Sequence, residues 1–173
     1  LFAIPGFSLK LFRRDWLHIV DQGIGADFIG NCFRKLLAFM PGANNKERRL
    51  ALWDRIRAFY DANDVRDRMV GLKSWGIQAP KKPPKLKASA AAARALIPFC
   101  YEQCRILLDP TDAVHEAIIN AARHLNECYR CLSTDAVDWR TRLERESRGF
   151  AVQYAALQDF HAGTKAWVVK PKI

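Results

Sequence analysis

Apolar positions recur at steps of three and four along most of this chain, and the breaks between those runs divide it into helices. Phe28, Ile29, Cys32, Phe33, Leu36 and Leu37 form one stripe, which Pro41-Gly42 ends. Asn44 and Glu47 have capping-box spacing and open a second helix, with Leu50, Trp53, Ile56, Phe59 and Tyr60 on its inner face. A short helix from Asp64 to about Leu72 follows. The stretch "KSWGIQAPKKPPKLK", residues 73 to 87, breaks the pattern, because its prolines remove amide donors. Ser89 then opens an alanine-rich helix, and Pro98 predicts a kink or split inside it.

Positions 114, 118, 121, 125, 128 and 132 define the most regular seam, suited to packing on another helix. "STDAVDW" caps the last long helix, with Trp139, Leu143, Phe150, Tyr154 and Leu157 inward and Gly163 at its end. "KAWVVKPKI" reads as a strand. The pattern therefore predicts a mainly α protein, a bundle of five or six helices with short strand fragments at both ends.

Composition narrows the class. Hydrophobic residues make up 50% of 173, enough for one real core, and no apolar run approaches the ~18 residues of a membrane span. The opening "LFAIPGFSLKLF" is too short and too Pro/Gly-broken for a signal peptide. Five cysteines without a secretory signal point to reduced thiols inside a cell, and the chain reads as a piece of a longer protein. The net charge of +10 favours a polyanionic partner, nucleic acid first, although a basic surface without a partner has the same charge.

Candidate chemistry is sparse. Asp15 and His18 stand one helical turn apart, so the carboxylate can orient the imidazole; equally, Asp15 can cap a helix while His18 bonds a carbonyl. Lys81, Lys82, Lys85 and Lys87 surround two prolines and can lie along a phosphate backbone, or form a solvated linker. Arg13 and Arg14 add to that basic set. A second stripe, Arg140, Arg142, Arg145 and Arg148, is diluted by Glu144 and Glu146. Cys100 with Cys104, and His124 with Cys128 and Cys131, each share a helix face, so two facing helices would offer a zinc site. Buried seam thiols are the competing reading, and Cys32 reads as core. Nucleophile elbows, P-loops and dinucleotide fingerprints are absent from the sequence.

The segment "IPGFSLKLFRRDWLHIVDQGIGADFIGNCF", with its Asp15-x-x-His18 pair, resembles the D-x-x-H signature region of CACTA-like cut-and-paste DNA transposases. "NNKERRLAL" echoes their following basic segment, and "AWVVKPKI" their return to the core. The resemblance implies that residues 1–24 are a core-derived strand and signature segment of an RNase H-like fold. Residues 25–163 would be a helical insertion carrying the basic loop 73–88, and residues 164–173 a strand returning to the core. An active, a decayed and a domesticated element would share these motifs. The family's metal-binding acids map outside the chain, so the resemblance implies a divalent metal such as Mg²⁺ for a complete parent enzyme and no cofactor here. It also implies DNA as partner, a nuclear location if the parent is a eukaryotic transposase, and no DNA nicking by these residues alone. The rival expectation is a non-catalytic helical module that binds protein or RNA.

Overall fold

A computed structural model describes residues 17–73, 77, 82–133 and 137–168. It is mainly helical, and no strand occurs among the described residues. A π-helical segment, Leu17–Ile24, leads into α1, Gly25–Leu36. Helix α1 is buried on nearly every side, including Phe28, Ile29, Cys32, Phe33 and Leu36, so it forms the centre of the main core. Gly30 is obligatory there, since an added Cβ would lie 2.5 Å from the Lys85 Cα.

Helix α2, Asn45–Ala62, starts as its sequence predicts. The Asn44 side chain accepts from the amides of Lys46 and Glu47, both at 3.0 Å. Glu47 reaches back to the Ala43 amide at 2.8 Å, one residue earlier than in the usual box. Its inner face differs from the expected one: Leu52, Ile56 and Tyr60 are buried, Trp53 and Phe59 half-buried, and Leu50 is exposed. The expected helix from Asp64 to Leu72 is not formed. Asp64 takes a left-handed conformation (φ 47°) that turns the chain away, and Arg68 donates to the carbonyls of Val65 and Tyr60.

The Pro/Lys loop is docked. Leu86 is buried, its amide donates to the Ala26 carbonyl at 2.8 Å, and the Lys85 amide donates to Ile77 at 2.7 Å. Ser89 caps α3, Ala90–Ala95, which is separate from α4, Ile97–Leu107. Pro98 sits in the first turn of α4, where no amide donor is required, so the expected split is real.

Helices α5, Ala113–Leu132, and α6, Trp139–Phe160, form the most extensive helix pair. On α5 the buried set is Ala117, Ile118, Ala121, Ala122, Leu125, Cys128 and Cys131. The seam is thus rotated from the expected one, leaving Val114 and Leu132 half-buried. On α6, Leu143, Phe150, Tyr154 and Leu157 are buried as expected, while Trp139 is half-buried. Gly149 lets α5 approach: a Cβ there would lie 2.4 Å from the His124 ring.

After Gly163 (φ 79°) the chain bends rather than extends. Trp167 is buried against Phe28 and Tyr154, with ring centroids 5.6 and 6.0 Å away, and its amide donates to Asn31 Oδ1 at 3.0 Å. Residues 164–168 therefore do not form the predicted strand, because they fold onto the aromatic core. The rest of that segment, like residues 1–16, lies outside the described residues.

Candidate nucleic-acid interface

Three hollows adjoin residues of the Pro/Lys loop. The first, about 400 Å³, lies between the end of α1 and the start of α2 and is lined by Arg34, Arg48, Arg49, Asn45 and apolar neighbours. Arg34 belongs to the last turn of α1, where the helix dipole favours a cation. Arg48 is held by its Nε donating to the Gly42 carbonyl at 3.2 Å. Glu47 turns back onto Ala43 and Asn44 and does not line the hollow.

The second hollow, about 590 Å³, is lined by Gln22, Ala26 and the 85–89 backbone with Lys85 and Lys87. The third, about 280 Å³, carries Arg68, Lys73 and Lys87. Ile77 lines the first hollow and bonds the Lys85 amide beside the second; Lys87, Ala88 and Ser89 line both the second and the third. Seven cations line the three together, and no carboxylate does so among the described residues.

The second basic stripe expected from sequence, on α6, is engaged by neighbouring groups. Arg145 and Arg148 meet Glu146 and Glu144 at 2.7 Å each, Arg142 is 3.9 Å from Glu127, and Arg140 lies over the Trp139 ring. Three of its four arginines thus meet carboxylates and the fourth lies on an aromatic ring.

Of the basic residues expected from sequence, Lys82, Lys85 and Lys87 are described and lie on the docked loop. Lys85 is engaged internally: its Nζ donates to the Gln22 carbonyl at 2.7 Å and lies 3.6 Å from Asp27. Arg13, Arg14, Asp15 and Lys81 lie outside the described residues, and so does the side chain of His18.

Sequence reasoning missed Arg34, Arg48 and Arg49 as a group. The signal was an Arg-Arg pair one turn after a helix cap, which places both near a helix start. Asp21 is buried between Arg94, at 2.8 Å, and the Tyr129 hydroxyl, which donates to it. This carboxylate ties the π-helical segment to α3 and α5.

The thiols and His124 are regrouped relative to the expected zinc set. Cys100 and Cys104 of α4 converge with Cys32 of α1, all three sulfurs lying within 4.8 Å of one another. Burial pushes the Cys32 thiol well up, and the Cys104 contact raises Cys100, whereas hydrogen bonds from Cys100 and Cys32 lower Cys104 to about 5. His124 lies elsewhere, with Nδ1 at 2.7 Å from Glu146 and Nε2 at 3.1 Å from Arg123. Cys128 and Cys131 belong to a separate small core with Leu143; burial pushes Cys128 up to about 11. The five residues expected to share one metal are thus divided between sites.

Glu146 is buried, as Asp21 and Asp27 are. Burial raises its carboxyl, but hydrogen bonds from His124 and Arg145 outweigh that and hold it below its ordinary value. Comparison with family models, with curated proteins and with solved structures finds no match for this chain.

Proposed function

We propose that this chain is a nucleic-acid-binding helical module that holds a phosphate backbone along the three basic hollows. The carrying observation is that seven cations and no carboxylate among the described residues line adjoining concave surfaces. Phosphates suit such a surface because each contact releases condensed counterions, while the bundle supplies a rigid frame. The seven lining cations set the upper bound, and about five or six phosphate contacts are expected.

The test is fluorescence anisotropy on duplex DNA, single-stranded DNA and duplex RNA across a salt series. Five or six contacts give a log–log slope near −5 on duplex DNA. Replacing Arg34, Arg48 and Arg49 together by Gln should flatten it by about 2.7, with the helical spectrum unchanged. Salt-independent binding, or no binding at low salt, removes this reading.

The narrower reading is that of a helical insertion from a CACTA-like DNA transposase. It rests on the Asp15-x-x-His18 context, and DNA is then the partner. The parent reading frame tests it: an Asp before Leu1 and a Glu after Ile173, in an RNase H-like setting, are required. Preference for RNA over DNA in the anisotropy series would instead favour the interaction-module rival.

A further inference from the structure

The convergence of Cys32, Cys100 and Cys104 is independent of the basic surface. Cys100 and Cys104 are one helical turn apart on α4, and Cys32 comes from α1, about seventy residues away in sequence. All three side chains are buried in the main core, and no other Cys, His, Asp or Glu among the described residues joins their cluster.

We propose that Cys32, Cys100 and Cys104 form a three-sulfur site for a soft thiophilic ion that takes three ligands, with trivalent arsenic as the charge-matched occupant. Spacing supports this. Trivalent arsenic keeps a lone pair and holds three sulfurs in a pyramid, which at sulfur bonds of ~2.3 Å places them roughly 3.4 Å apart. The sulfurs already converge within 4.8 Å, so closing on the ion takes side-chain movements of about 1 Å rather than a rearrangement of the helices. Ligand number argues against zinc, which takes four ligands in structural sites. Hardness argues against magnesium and calcium, which take oxygen ligands.

Charge then selects among soft ions. A buried apolar site strongly disfavours net charge. Three thiolates around a monovalent ion would leave two negative charges, and around a divalent ion one. Three thiolates around trivalent arsenic leave none. The balanced step is arsenous acid, As(OH)₃, plus three thiols giving one As(SR)₃ unit and three waters. No electron is transferred, and the three thiol protons leave in the waters. Access requires local opening of α4 against α1, so binding should be slow.

The experiment incubates the full chain with arsenite under reducing conditions and removes excess. Native mass spectrometry should show one arsenic per chain, replacing three hydrogens. X-ray absorption on the unmutated protein should show three sulfur neighbours, a readout that needs no variant. Cys32→Ala, Cys100→Ala and Cys104→Ala, each checked for helicity, should lose the adduct, whereas Cys128→Ala and Cys131→Ala should keep it. Two-sulfur coordination, no adduct, or an adduct retained in Cys32→Ala would overturn the proposal.

Discussion

Gly149→Ala sets two helical preferences against each other. By propensity alone, alanine in the middle of α6 should stabilise the helix by about 1 kcal/mol. Here the added Cβ would lie 2.4–2.6 Å from three atoms of the His124 ring. Either the α5–α6 pair separates, at an overpacking cost of ~1–3 kcal/mol, or the ring swings out. Swinging out breaks the 2.7 Å bond from His124 to buried Glu146, and a bond to a charged group contributes about 1.5–3 kcal/mol. Cost less gain leaves a net loss of up to ~2 kcal/mol in urea unfolding followed by far-UV circular dichroism. The sign should reverse once the ring is gone. In a His124→Ala background, Gly149→Ala should stabilise by up to ~1 kcal/mol, a coupling of about 1–3 kcal/mol across the cycle. Equal destabilisation in both backgrounds would refute the steric reasoning.

Three further predictions concern the same core and the basic loop. Tyr154 Oη is buried without a hydrogen-bond partner among the described residues, so Tyr154→Phe should be neutral or stabilising by up to ~1 kcal/mol in the same assay. A larger loss would reveal a partner. Glu146 is held below its ordinary carboxyl value, so its stabilisation is present above about pH 4.3 and lost as pH falls through the lower folded value. Asp109 and Asp112, also lowered, act on the same limb; Glu146→Gln should flatten that acid limb in pH-dependent unfolding, and an unchanged limb would show that Glu146 does not drive it. Gly30→Ala should push the Lys85–Leu86 backbone off α1 and weaken duplex binding although no charge is removed, which anisotropy at fixed salt would detect.

Helix existence was readable from the chain because local rules agree with the packing. The Asn44 cap, the Pro98 split and the Gly163 stop are decided within a few residues, and each stands where the pattern put it. Faces were harder. A helix with several apolar residues has more than one plausible inner stripe, and the choice depends on the partner. Leu52 rather than Leu50 is buried, and on α5 Ala117 and Ala122 are buried where Val114 and Leu132 are only half-buried. The helix expected after Asp64 failed because a single left-handed residue and the Arg68 side chain satisfy the end of α2.

The basic hollows were half readable. The Pro/Lys loop was visible from its composition. The contribution of Arg34, Arg48 and Arg49 depends on two helix ends meeting, which no periodicity encodes. The thiols show the same limit: spacing found Cys100 and Cys104, but only the α1–α4 contact supplies Cys32.

The docking of Trp167 has a topological consequence. Its ring lies on Phe28 and its amide on Asn31, so the last described turn of the chain is fastened to the first turns of α1. Helices α2 to α6 therefore lie within a single excursion of the chain that this one contact closes.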